Sequence, residues 1–351
     1  MTALTAAPQR FTYELPPALE ASEPPEARGL TRDAVRMLVT YKGTRSLVPS
    51  TFNFLPKFLE PGDLVVINVS GTIPAAIDAV DDDGDPLVVH LSTRFDAARW
   101  VVEPRRLVER TTGRWTGPSS SRHLVLAGGA TMTLDRPYGR KGRLWEARLA
   151  LGQEALTWLA VHGRPIRYGY VERPWPIDLY QNVYATEPGS AEMPSAGRPF
   201  TPEVITRLVA KGVGVTPLVL HTGVASLEAD ELPYPERVRV PESTAERVNA
   251  AHREGHRVIA VGTTVVRGLE TSVGDDGCAH PFDGWTDLVI SPDHGVQVTD
   301  GMLTGWHEPE SSHLLMLEAI AGHQALEDSY AEAVTQGYRW HEFGDVHLIL
   351  P

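Results

Sequence analysis

The segment VIAVGTTVVRGLETS, residues 258–272, runs an apolar strand straight into Gly-Thr-Thr and then into a helix carrying an arginine and a glutamate. The run RVIAVG is apolar on both faces, as strands buried in a parallel sheet are. Thr263 or Thr264 is placed to cap the helix that begins after Gly262. With roughly 100° per residue, Thr263, Arg267 and Glu270 share one helix face, while Val265, Val266 and Leu269 face roughly the other way. The junction therefore offers backbone N–H groups, two hydroxyls, a cation and an anion above a buried strand. Such a set suits a zwitterion, with a carboxylate at Arg267 or the helix end and a cationic group at Glu270. The plainer alternative is a capped helix with one i,i+3 salt pair.

Outward from this junction, strands and helices alternate. Thr201-Pro202-Glu203 reads as an N-cap, a first-turn proline and an acid near the positive helix end. Val204, Ile205, Leu208 and Val209 form its apolar stripe, and Gly212 stops it. The strand TPLVLH ends at His221, and Ser243 with Glu246 has capping-box spacing for a helix closing near Gly255. GWTDLVISP (284–292) predicts a further strand. The stretch 300–322 leads through His307 into a helix capped by Ser311 or Ser312, and FGDVHLIL sets Asp345 just before a strand. This alternation predicts a βαβ core with ligands at strand C-termini, where His221 and Gly262 fall. From Asp63 to about Ala150 the pattern changes to short β-type runs (LVVIN, PLVVHL, RWVVE, HLVLA, TMTL, RLWEARLA) between turn residues, which predicts a small antiparallel barrel or sandwich. The fold class expected is an α/β main domain with a mixed or parallel sheet, residues 1–62 and 151–351, interrupted by an inserted antiparallel β-barrel-like domain, residues 63–150.

Composition bounds the function. At 351 residues and 38.4 kDa the chain has room for about two cores. No apolar run approaches the ~18 residues of a membrane span. MTALTAAPQRF lacks the blocks of a signal peptide, and the single Cys278 excludes a disulfide framework or a cysteine zinc cage. A cytoplasmic monomer without membrane contact is expected. The net charge of −13 is uneven: residues 99–148 hold eleven Lys or Arg against four acids, +7, which leaves −20 elsewhere. A basic lobe of that kind suits phosphate contact. The acidic tip Asp81-Asp82-Asp83-Gly84-Asp85 lacks calcium-loop spacing and reads as a solvated hairpin turn. HEPESSH and WHEFGDVH lack HExxH spacing, so no metal is expected, and no G-x-S-x-G elbow occurs.

Collinear over nearly the whole chain, FTYELPP, LEPGDLVVIN, YQNVYA, the PSAG and FTPE elements, VIAVGTTVVRGLE, GWTDL, and DGMLTGWHEPESSHLLML through FGDVHLI resemble the S-adenosylmethionine:tRNA ribosyltransferase-isomerase family of the queuosine pathway. The resemblance implies S-adenosyl-L-methionine as donor and substrate. Its ribosyl carbons would be joined to the aminomethyl group of a 7-deazaguanine in a tRNA anticodon, releasing adenine and methionine and leaving an epoxide. It also implies that Gly262, Thr263, Thr264, Arg267 and Glu270 line the donor site. His221-Thr222-Gly223 matches an HVG element, so Gly223 joins that site. His307 matches the histidine of NFH, Asp345 the acid of YGD, and Glu236 the glutamate of MHSE. His221 or His307 would carry protons, Arg267 the methionyl carboxylate, and Glu270 or Glu236 would offset the sulfonium or ribose. Arg32, Tyr170 and Ser195 would meet the acceptor.

Departures cluster on the acceptor side. NDTR-x-IPAR reads NVSGTIPAA, with Val69 for an acid and Gly71 and Ala76 for two arginines. MPLPPYI reads PIRYGYV (165–171), which keeps Tyr170, and Pro199 stands where the family has histidine. HVGLGTF has become HTGVASL, and Tyr234 replaces a histidine near Glu236. Each lost phosphate contact weakens nucleic-acid binding. Two alternatives follow: a repurposed paralogue that uses or cleaves the same donor without tRNA, with a small-molecule acceptor, and a non-catalytic nucleotide- or RNA-binding protein.

Overall fold

The structure, a computed structural model, describes residues 11–351 except 109–110, 118–119, 140–141, 225–233 and 310; the ASL of HTGVASL lies outside the described residues. Nine strands form one mixed sheet in the order Phe282–Thr286, Glu236–Val240, Gly214–Leu220, Leu64–Asn68, Val258–Val261, Gly301–Gly305, Val346–Leu350, Arg36–Tyr41 and Ser46–Thr51. The four at its centre, from Gly214–Leu220 to Gly301–Gly305, are parallel. Their C-terminal ends share one edge. Val346–Leu350 runs antiparallel to Gly301–Gly305, so Asp345 at its start arrives at that same edge.

Helices cover the sheet. We label them α1 (Ala155–His162), α2 (Pro202–Lys211), α3 (Glu242–Arg253), α4 (Thr263–Thr271), α5 (Ser312–Ala321) and α6 (His323–Thr335). Val258–Val261 is buried at every residue, as its two apolar faces require, with Val265, Val266 and Leu269 of α4 packed in one core beside it. Val204 and Leu208 of α2 fill the core on the other face with Val261 and Leu303, while Val209 of the expected stripe is 60% exposed. The α2 cap is as read: Thr201 Oγ1 accepts from Val204 N at 3.2 Å, and Gly212 closes the helix at φ 89°. Ser311 likewise caps α5. Two capping expectations are corrected. α3 begins at Glu242 behind Pro241 without a side-chain cap, and the N-cap of α4 is Gly262.

The second body is a closed antiparallel barrel. Six strands, Ala76–Asp81, Pro86–Arg94, Arg99–Val108, Arg122–Leu126, Thr131–Tyr138 and Leu144–Ala150, pair around the ring, and Leu144–Ala150 returns to Arg99–Val108 to close it. Trp100, Trp145, Leu91 and Leu134 fill its interior, and Trp158 and Leu159 of α1 pack on the same core. LVVIN, read above as the first barrel strand, is instead a central strand of the large sheet, buried at all positions. The predicted strand 284–292 is also shifted; the strand is Phe282–Thr286.

The barrel is less basic than residues 99–148 taken alone. Over the closed barrel, 76–150, twelve Lys or Arg meet ten acids, a net of +2. Four of its arginines are paired locally: Arg99 with Asp96 at 2.7 Å, Arg122 with Asp83 at 2.6 Å, Arg136 with Glu146 at 2.8 Å and Arg148 with Asp135 at 2.7 Å. The acidic hairpin tip is thus the partner of a barrel arginine.

Candidate functional site

A cavity of about 310 Å³ opens at the C-terminal edge of the parallel strands, where Ser92 and Thr93 of the barrel also reach it. Gly262, Thr263 and Thr264 line it. Gly262 sits at φ 90°, a conformation that favours glycine. The N–H groups of Thr263 and Thr264, in the first turn of α4, have no acceptor one turn back within the helix. Asn68, which sequence reading did not single out, ties the strand ends together. Its side chain accepts from Leu220 N at 3.0 Å and donates to Leu220 O at 2.8 Å and Thr264 Oγ1 at 3.2 Å.

Arg267 lines the cavity but its expected pairing is corrected. Its partner is Glu236, not Glu270, and it donates to the carbonyls of Leu288 and Thr286 at 3.2 Å each. The two side chains are 8% and 13% exposed. Glu236, also at the cavity, accepts from Gly223 N at 2.8 Å with its other oxygen. Glu270 stands away from the cavity. Its carboxylate accepts from Gln297 N, Val298 N and the Thr299 hydroxyl, which anchors the loop before Gly301–Gly305.

Three histidines are near the strand ends, and burial lowers the pKa of each. His221 is held beneath the surface, its Nδ1 2.7 Å from Ser70 Oγ, and does not line the cavity. His307 does line it; its Nε2 lies 2.8 Å from Thr304 Oγ1, and its carbonyl accepts from Tyr13. His313, missed from the sequence, lies beside it with ring centroids 4.6 Å apart. Burial, with Arg267 nearby, brings His313 down to about 4. Both rings are therefore neutral near pH 7 and able to accept a proton. Asp345 caps backbone instead, accepting from Arg36 N and Arg339 N at 2.8 Å each. It shares a small crevice beside the cavity with Arg32 and Ser195. Arg32 donates to the Gln181 carbonyl at 3.1 Å, and Ser195 and Tyr170 reach the main cavity.

Of one wall, sequence reading had singled out Tyr170 alone. Tyr168, Tyr170, Glu192, His341 and Glu342 all line the cavity, although they come from three separate segments. The Tyr168–Glu192 and Tyr170–Glu342 hydrogen bonds bring these segments together. Among the described residues, no cluster of three or more His, Cys, Asp or Glu groups is arranged to hold a metal ion. No helix among them is long and apolar enough to cross a membrane.

A mixed sheet whose parallel strands end together at a cavity, with an inserted barrel beside it and buried histidines in its wall, defines an α/β protein with a cavity at the strand C-termini. The chain belongs to the queuosine biosynthesis protein family, whose model matches residues 8–349. It is 36% identical to the S-adenosylmethionine:tRNA ribosyltransferase-isomerase of Moorella thermoacetica, over 97% of this chain and 99% of that protein. The protein of the same name from Symbiobacterium thermophilum is 34% identical, over 97% and 98%. The crystal structure of S-adenosylmethionine tRNA ribosyltransferase from Thermotoga maritima matches with a TM-score of 0.55 at 29% identity, covering 97% of this chain and 99% of that one. The relatives are named as transferase-isomerases, and this chain is a member of the same enzyme family.

Two outcomes follow from this geometry. Arg267→Ala leaves the Glu236 carboxylate without its cation and should lower the unfolding free energy by ~3 kcal/mol, read by urea denaturation. If Glu236 is the partner that matters, adding Glu236→Gln should cost far less than the sum of the two single changes; simple additivity would disprove the coupling. Acid should also destabilise the fold. His313 binds its proton at about 4 when folded and near 6.5 when unfolded, so the unfolded chain holds the extra proton between those values. Its contribution is intact above the unfolded pKa and is lost as pH falls toward the folded one, by ~3 kcal/mol at most. Urea midpoints measured across that window should fall less steeply in His313→Asn than in the parent; identical slopes would exclude His313 as the source.

Proposed function

We propose that this protein transfers and isomerises the ribosyl part of S-adenosylmethionine onto an amine, with 7-aminomethyl-7-deazaguanine in tRNA as the acceptor and adenine and methionine as the products. The observation that carries this reading is the strand-to-helix junction at Gly262, with Glu236 and the neutral His307 and His313 around the same cavity. The methionyl carboxylate would meet the first-turn N–H groups of Thr263 and Thr264. Glu236 would offset the sulfonium or ammonium charge. Arg267, already committed to Glu236, acts as a positioning residue rather than a carboxylate clamp. The positive sulfur acidifies the adjacent C5′ hydrogen, and His307 or His313 is the base that removes it. Adenine then departs, the amine adds, and closure to the epoxide expels methionine. We place the reaction in the cytoplasm and the protein as a monomer.

A second reading is favoured by one observation: Gly71 and Ala76 are buried where the family carries arginines, and the barrel is nearly neutral. A weaker phosphate grip of that kind suits an amine acceptor without RNA. Incubation with S-adenosylmethionine, with and without tRNA bearing the aminomethyl base, separates the two by mass spectrometry. Adenine should appear only with the modified tRNA. Adenine released without RNA would transfer the assignment to the second reading, and donor binding without turnover on either acceptor would leave a non-catalytic binding protein.

A further inference from the structure

Two histidines meet in the cavity wall, and their hydroxyl partners are not alike. His307 is fixed through its backbone: its N–H donates to the Tyr330 hydroxyl at 3.3 Å, and its carbonyl accepts from Tyr13 and from Trp340 Nε1, the latter at 3.2 Å. Its ring Nε2 lies 2.8 Å from Thr304 Oγ1. Thr304, on strand Gly301–Gly305, is 1% exposed. Its hydroxyl has one proton to give, and among the described residues His307 Nε2 is the acceptor within reach. His347 faces Thr304 across the neighbouring strand, yet its Nδ1 has no hydrogen-bond partner among the described residues and so does not take that proton. A buried hydroxyl that keeps its proton unshared loses a hydrogen bond that water does not replace. The Thr304 proton therefore goes to Nε2. A neutral imidazole carries a single N–H, so the ring proton of His307 sits on Nδ1. That nitrogen has no hydrogen-bond partner among the described residues, in a ring that lines the cavity.

Ser311 stands differently. Half-buried at the cap of α5, its Oγ accepts from His313 N at 3.3 Å and lies 3.1 Å from His313 Nδ1. A hydroxyl oxygen has two lone pairs, so it can take the ring N–H beside the backbone N–H while its own proton turns to solvent. His313 Nε2 is then the unprotonated nitrogen.

We propose that Thr304 is a positioning residue that locks His307 with its proton on Nδ1, so that His307 meets the ligand as a neutral N–H donor and His313 is the base. The inference rests on the transfer reading above and divides the work that reading leaves to either histidine. His313 Nε2 takes the C5′ proton. The electron pair of that C–H bond forms the C4′–C5′ double bond as the ring oxygen leaves C4′, and the oxygen pair forms the C1′ carbonyl and expels adenine with the C1′–N9 pair. His307 Nδ1–H donates to the departing base, and the proton on His313 passes to it, which returns both rings to their starting state. Burial keeps both imidazoles neutral beforehand. A neutral imidazole N–H held in place in a dry wall steadies developing negative charge.

The test reads the proton directly. In protein with isotopically labelled histidine, long-range proton–nitrogen correlation NMR shows which ring nitrogen is protonated, and signals are assigned by their loss in His307→Gln and His313→Asn. The ligand-free parent should show His307 protonated at Nδ1 and His313 unprotonated at Nε2. Thr304→Val keeps the side-chain shape, removes the hydroxyl and should move the His307 proton toward Nε2; Thr304→Ser should hold it at Nδ1. Adenine release should follow, with kcat about a hundredfold lower in Thr304→Val, KM within about twofold, and recovery in Thr304→Ser. A parent His307 protonated at Nε2, a His313 protonated there, a tautomer indifferent to Thr304→Val, or parental kcat in that variant would overturn the proposal. The parent spectrum decides the first two of these even if the valine variant fails to fold. Adenine release by the parent is scored apart from the tautomer, so loss of the transfer reading and loss of the Thr304 lock give different results.

Discussion

The Glu236 carboxylate is the tie on which the site depends. One oxygen takes the Gly223 amide and the other the Arg267 guanidinium, which itself reaches the carbonyls of Thr286 and Leu288. Four segments that are distant in sequence are thereby fixed together: the turn after Gly214–Leu220, strand Glu236–Val240, helix α4 and the end of Phe282–Thr286. A buried ion pair of this sort gives little net stability against an apolar replacement, but breaking one half is costly because the remaining charge stays buried. Its value here is geometric. It holds the α4 N-terminus and the Gly223 turn on opposite sides of one cavity.

The central sheet was legible because its signals are local. RVIAVG is apolar on both faces, TPLVLH ends at a histidine, and Thr201-Pro202-Glu203 starts a helix with a satisfied cap. LVVIN was assigned to the wrong body for the same reason that RVIAVG was assigned correctly. A short run buried on all residues looks alike in a barrel and in a parallel sheet, and only its partners, Gly214–Leu220 and Val258–Val261, distinguish the two. Helix-wheel reasoning placed Arg267 beside Glu270 because i,i+3 neighbours are close on any helix. Tertiary structure overrode it, since Glu270 had three donors waiting on the 297–299 loop and Arg267 had a carboxylate on the adjacent strand.

Charge was misleading in a comparable way. Residues 99–148 are strongly basic as a string, yet the barrel brings Asp81, Asp83 and Asp96 from the preceding hairpins against Arg122 and Arg99. A linear window cannot see this, because antiparallel pairing neutralises charge across strands rather than along them. Arginines held in such local ion pairs contribute little to the far field at physiological salt.

The two sides of the cavity are built by different means, which accounts for their unequal legibility. The side at Gly262 is made largely of backbone: first-turn N–H groups and a glycine at positive φ, all within a few consecutive residues. Such a device is written locally and can be read locally. The opposite wall is made of side chains contributed by residues 168–170, 192 and 341–342, and no one of those segments reveals it. Each carboxylate there arrives with a tyrosine hydroxyl, so the wall is hydrogen-bonded before any ligand enters and does not require a cation to fold. Because these tyrosine–carboxylate pairs are made within the wall, the wall can change without disturbing the helix junction at Gly262.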